Sequence, residues 1–155
     1  MTKTPKILLF CLILLVYSCD SKGVFEDDQS FDSKSWHMDN MPAFTFEIED
    51  TTPKDVFLKL RNDLNYPYQN IYITYYLLNS QREEVATELV NIPLFDDVTG
   101  KPEGKGNSIY QSSMLVLENY SFPSAGEYTF KLAQYMRSES LDGVHSVGVR
   151  VEESN

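Results

Sequence analysis

Stretch after stretch of this chain alternates apolar and polar residues one for one, and that period constrains the fold more than any other feature. Only an extended strand sends successive side chains to opposite faces. Phe44, Phe46 and Ile48 alternate with Thr45, Glu47 and Glu49, and Val56, Leu58 and Leu60 oppose Lys59 and Arg61. Tyr128, Phe130 and Leu132 form an apolar row, and Val147, Val149 and Val151 alternate with Gly148, Arg150 and Glu152. Residues 70–79 are apolar on both sides, with Ile71, Ile73, Tyr75 and Leu77 opposite Tyr72, Thr74, Tyr76 and Leu78, which predicts a central strand buried on both faces. Residues 80–90 are ambiguous, since Ser80 and Glu83 have capping-box spacing for a helix. The alternation of Val85, Thr87 and Leu89 with Glu84, Ala86 and Glu88 favours a strand, entered by a turn over residues 79–82. A further strand is expected over residues 108–118, making seven, with room for an eighth in residues 93–107. No βαβ order is present, so the fold class expected is an all-β antiparallel β-sandwich, immunoglobulin-like or jelly-roll-like, over residues 36–155. Gly126 and Tyr128 have the spacing of a tyrosine corner.

The N-terminus follows different rules. Lys3 and Lys6 precede an apolar run over residues 7–16, the layout of a signal peptide and too short to span a bilayer, which takes roughly 20 residues. Val16-Tyr17-Ser18-Cys19 resembles the bacterial lipobox, which implies cleavage after residue 18 and a lipidated Cys19. Residues 19–35 are rich in Asp, Glu, Ser, Lys and Gly, with Val24, Phe25 and Phe31 scattered among them, and read as a flexible tether. Such a tether spans about 20–25 Å at roughly 5–6 Å × √n. Glu26-Asp27-Asp28 reads as solvated linker, and Asp20 as a residue able to direct membrane sorting.

Charge and cysteine use narrow the function. Loss of the leader removes Lys3 and Lys6 and moves the formal net charge from −10 to −12. That charge opposes nucleic acid and anionic membrane surfaces, leaving attachment to the lipid. The two cysteines are Cys11, in the leader, and Cys19, so the mature fold has no disulfide and no thiolate nucleophile.

Catalytic patterns are weak throughout. His37 and His145 lack partners at metal-ligand spacing, and Ser112 and Ser113 sit in no nucleophile elbow. Glu47 and Glu49 fall on the wet face of a strand, and Asp96-Asp97 lacks the calcium-loop rhythm and reads as a turn. The Gly100-Lys101-Pro102-Glu103-Gly104-Lys105-Gly106 loop is not a phosphate cradle, because no [ST] follows a G-K pair at P-loop spacing. No cofactor, metal or small-molecule substrate is expected. Tyr66, Tyr68, Tyr72 and Tyr76 are candidates for an exposed row that stacks on sugars, the alternative being tyrosines that fill the sheet and its rim. Candidate interaction residues are therefore Tyr66, Tyr68, Tyr72, Lys101 and Lys105.

Several stretches taken together resemble the gliding-motility lipoprotein family GldH. They are Cys19, the segment from Arg61-Asn62 to Tyr66-Pro67-Tyr68, the loop of residues 100–106 leading to Ile109-Tyr110, and Phe122-Pro123 through Gly126, Tyr128 and Phe130 to Gln134, Met136 and Arg137. Leu141, Gly143-Val144, Val147-Gly148 and Arg150-Val151-Glu152 complete the likeness. The resemblance implies a non-enzymatic cell-envelope lipoprotein that works with protein partners of the gliding apparatus and its associated type IX secretion machinery. It implies anchoring to the outer membrane on its periplasmic face, with the inner membrane as the other option. The alternative function is a lipid-anchored carbohydrate-binding module.

Overall fold

The computed structural model describes residues 22–155, which form eleven strands and no helix. One sheet runs in the order β1 (Gly23–Ser30), β11 (Val144–Glu153), β4 (Lys54–Asn62), β8 (Tyr110–Tyr120), β7 (Lys105–Gly106). The other runs β3 (Ala43–Ile48), β9 (Gly126–Gln134), β5 (Asn70–Leu78), β6 (Glu84–Pro93), and a small pair joins β2 (Ser35–His37) to β10 (Ser140–Asp142). Every pairing is antiparallel.

The alternating rows become the inner faces of a sandwich. Val56, Leu58 and Leu60 of β4 and Val147, Val149 and Val151 of β11 are buried against Phe44, Phe46, Ile71, Ile73, Leu77, Phe130 and Leu132 of the facing sheet. The Tyr75 and Phe130 rings stack with centroids 5.1 Å apart, and Phe122 packs edge-on against Phe46 and Tyr128. Tyr128 closes the expected tyrosine corner, its hydroxyl donating to the Ser124 carbonyl at 2.8 Å. The expected extra strand between residues 93 and 107 exists as the two-residue β7, paired to the start of β8.

Three expectations need correction. First, residues 23–35 are not tether: β1 pairs along β11, Phe31 is buried, and the folded body begins at Gly23 rather than Trp36. Second, β5 is central in its sheet but buried on one face, since Tyr72 on the other is 40% exposed. Third, β6 is a strand in the opposite phase to its apolar row: Ala86, Glu88, Val90 and Ile92 lie opposite Leu77, Tyr75, Ile73 and Ile71, leaving Leu89 on the outside. Glu88 is tolerated on the inward side because it sits near the rim and accepts a long hydrogen bond from the Tyr75 hydroxyl.

What holds β1 explains why an acidic segment joins a sheet. Lys59 of β4 lies two strands away, with only β11 between, and its ammonium reaches Glu26 at 2.6 Å and Asp28 at 3.1 Å. Gly148 of β11 sits between Lys59 and Asp28 in register, so no side chain blocks the crossing. Lys59 is thereby buried with its charge matched, and its hydrogen bond holds the Glu26 carboxyl below its usual range. On the inner side Phe25 stacks on Phe46, centroids 5.3 Å apart, which ties β1 to β3 of the other sheet. A β-carbon on Gly148 would run into Asp28 Oδ1 and the Asp27 carbonyl oxygen. Gly148→Val should therefore loosen β1 while the remaining strands stay folded, read as faster amide exchange over residues 23–30 and little change over β5 and β9. Uniform protection in the variant would contradict this account.

The registers give the sandwich two distinct ends. Gly23, Lys54, Tyr120 and Glu153 share one, together with Ile48, Gly126 and Leu78; Ser30, Asn62, Tyr110 and Val144 share the other, together with Ala43, Asn70, Pro93 and Gln134. At the Gly23 end the buried Lys54 ammonium lies 2.8 Å from Asp50 and 3.0 Å from Glu153. Hydrogen bonds from Lys54 and Thr52 lower the Asp50 carboxyl from 3.8 to about 2. A carboxyl whose folded pKa is depressed stabilises the fold above its unfolded pKa and loses that contribution as pH falls through the folded value. The thermal midpoint should thus be level near pH 6 and fall between about pH 4 and pH 2, less steeply in Asp50→Asn.

Candidate functional site

The end opposite Gly23 gathers most of the candidate residues. On the outer face of the β3-β9-β5-β6 sheet, Tyr72 of β5 lies opposite Asn91 of β6, and on its other side the Tyr135 amide donates to the Tyr72 carbonyl at 2.8 Å. Tyr68 joins them from the loop before β5, its hydroxyl 2.6 Å from Ser138 Oγ. Tyr68, Tyr72, Tyr135, Met136 and Arg137 enclose an open hollow of about 360 Å³. Tyr135 is 68% exposed, and Tyr68 and Tyr72 are each 40% exposed.

Tyr66 does not belong to this surface. It is buried, its hydroxyl donates to the Asn70 carbonyl at 2.9 Å, and desolvation raises its phenol well above the usual range. Its role is to back Tyr68, whose ring meets it edge-on at 5.8 Å. Gly143, with φ of +81°, packs against the backbone of this segment, where a β-carbon would strike the Tyr66 amide nitrogen. Tyr76 is half-buried on the same outer face as Tyr72, further along β5 and outside the hollow. Sequence analysis does not single out Tyr135 and Arg137 as candidates; both lie just past the end of β9, where a tyrosine and an arginine two residues apart were the available signal.

The two lysines separate. Lys105, in β7, lines a groove of about 710 Å³ with Ile92, Glu103, Gln111 and Met114, where the two sheets gape between the edges of β6 and β8. Lys101 lies outside that lining, in a turn closed by the Asp96 amide donating to the Lys101 carbonyl at 2.8 Å. Asp96 Oδ1 accepts hydrogen bonds from the Thr99 amide and hydroxyl, which hold its carboxyl below the usual range, so the Asp96-Asp97 pair shapes a turn as expected. Beyond residue 111 the outer edge of β8 has no partner strand among the described residues.

His145 is committed to Asp63, Nε2 to Oδ2 at 2.8 Å, tying the loop after β4 to β11. His37 hydrogen-bonds through Nδ1 with the Asp39 amide. Among the described residues no group of three or more His, Cys, Asp and Glu side chains could hold a metal ion. Glu47 and Glu49 are exposed, as the alternation predicts. Cys19, the expected lipid attachment point, lies outside the described residues.

The chain is similar to known proteins along nearly its whole length. It is 30% identical to the gliding motility lipoprotein GldH of Flavobacterium johnsoniae, covering 99% of this chain and 98% of that one. A gliding motility lipoprotein GldH homolog from Christiangramia forsetii is 28% identical, covering 92% and 91%. Among solved structures, the infectious bursal disease virus VP2 subviral particle matches 86% of this chain and 31% of its own at 11% identity and TM-score 0.41. A non-crystalline cellulose specific carbohydrate-binding module matches 84% and 73% at 11% identity and TM-score 0.43. Likenesses that loose carry no argument about function. Residues 23–151, from the first residue of β1 nearly to the end of β11, match the family model of the GldH lipoprotein, and the chain belongs to that family.

Proposed function

We propose that this protein is a lipid-anchored, non-catalytic component of the bacterial gliding apparatus and of the type IX secretion machinery associated with it. The observation that carries the reading is the likeness, over 99% of this chain, to a protein named gliding motility lipoprotein GldH. Val16-Tyr17-Ser18-Cys19 supplies the attachment point, with acyl chains on the Cys19 sulfur and amino group placing the body on the periplasmic face of the outer membrane. The body offers surfaces for protein partners rather than a reaction centre. The groove beside Lys105 and the unpaired edge of β8 are the first places for a partner's extended segment to add a strand.

Deletion of the gene tests the reading. The expected result is loss of colony spreading with reduced release of secreted surface proteins, both restored by the intact gene. Normal spreading and normal secretion in the deletion strain would overturn it, and membrane fractionation of the complemented strain tests the outer-membrane placement.

A further inference from the structure

We infer that the hollow formed by Tyr68, Tyr72 and Tyr135 is a binding site for an acidic sugar, with Arg137 receiving the sugar's carboxylate or sulfate. The inference is independent of the motility reading and rests on how these side chains are placed. Tyrosines that merely fill a sheet rim need no common concavity, yet these three surround one. The face next to them is cut low, because the neighbouring cross-strand pair along β5 and β9 is Thr74 with Ala133, two small residues. At about 360 Å³ the hollow falls in the range of roughly 300–1,000 Å³ typical of small-ligand sites.

The Tyr68 ring and the backbones that carry the other two are held before any ligand arrives. Tyr68 is fixed at its hydroxyl by Ser138 and along its edge by the buried Tyr66. Tyr72 and Tyr135 are locked side by side by the backbone hydrogen bond between them, and the Tyr72 amide donates to the Met136 sulfur at 3.3 Å. Partly exposed aromatic faces around one hollow suit a ligand that is apolar on one flat side and polar around its rim. A pyranose ring has that character: axial C–H groups cover one face and hydroxyls surround it.

The sign of the charge selects among sugars. In a chain of net charge −10, Arg137 is exposed, stands at the hollow and has no ion pair or hydrogen bond to any described residue. A guanidinium grips a carboxylate or sulfate through two parallel N–H bonds, and no described residue supplies such a partner. An acidic residue of a polysaccharide supplies both the flat ring and the anion.

Calorimetric titration of the full-length lipidated protein in non-ionic detergent tests this, with tetrasaccharides of galacturonic acid, mannuronic acid and sulfated galactose, and with the neutral tetrasaccharides of galactose and mannose. At least one acidic tetrasaccharide should bind and should do so ten times more tightly than its neutral counterpart. Tyr135→Ala should weaken it at least tenfold, and Arg137→Met should abolish the preference for acid over neutral sugar. Both side chains are exposed, so folding is not at stake, and a thermal midpoint equal to the parent's verifies that. No binding of any of the acidic sugars, or binding that Tyr135→Ala leaves unchanged, would overturn the proposal. Preference for a proline decapeptide over every sugar would overturn it in favour of a protein ligand.

Discussion

Replacing Cys19 by alanine should move the protein from the membrane pellet to the soluble fraction. The lipobox-like run makes the Cys19 sulfur the proposed site of a diacylglycerol thioether, and each methylene buried in the bilayer contributes about 0.8 kcal/mol, so two or three acyl chains there would make residence effectively permanent. No helix among the described residues is long and apolar enough to cross a membrane and substitute for them. Mass spectrometry of the parent should find the N-terminal cysteine acylated. A Cys19→Ala protein that stays in the pellet after a high-salt wash would show that something else anchors it.

Trp36→Ala should produce the largest loss of stability of any single truncation at the end that carries the hollow. Trp36 is fully buried, stacks on Phe31 at 5.7 Å, pairs in register with Leu141 and donates from Nε1 to the Asn40 carbonyl at 2.7 Å. Truncations of buried aromatics cost about 3–5 kcal/mol because the cavity left behind does not collapse. In a body of this size that lowers the thermal midpoint by roughly 10 °C or more. Trp36→Phe keeps much of the volume and should recover about half the loss. A midpoint unchanged in Trp36→Ala would mean that the small β2-β10 pair is an ornament and not part of the core.

The fold was readable where burial is one-sided and local. β3, β4, β9 and β11 announce themselves because their inner residues are consistently apolar, and Tyr128 could be placed at a corner from its distance to Gly126 alone. β1 was not readable, because its carboxylates are matched by Lys59, 31 to 33 residues further along the chain, and that pairing exists only once β11 has come between them. β6 misled for a related reason: its apolar residues occur on both faces, and the facing residues of β5 decide which row turns inward. At the candidate site Tyr68 and Tyr72 have the exposure expected from the sequence. Tyr66 was misassigned, since a tyrosine whose hydroxyl finds a backbone carbonyl is as easily buried as exposed. Lys101 and Lys105 looked equivalent in sequence, and the turn at Asp96 sends them to different surroundings.

Incorporation of β1 into the sheet changes the geometry of the whole molecule on its bilayer. With the acyl chains on Cys19, only four peptide units separate the lipid from Gly23, a leash of at most about 14 Å. The rim of the body nearest the headgroups would then bear Glu47, Glu49, Asp50 and Glu153, which an anionic leaflet repels. The body's ten-residue strands carry the tyrosine crown roughly 30 Å above that rim, so whatever meets Tyr135 approaches from the side away from the bilayer.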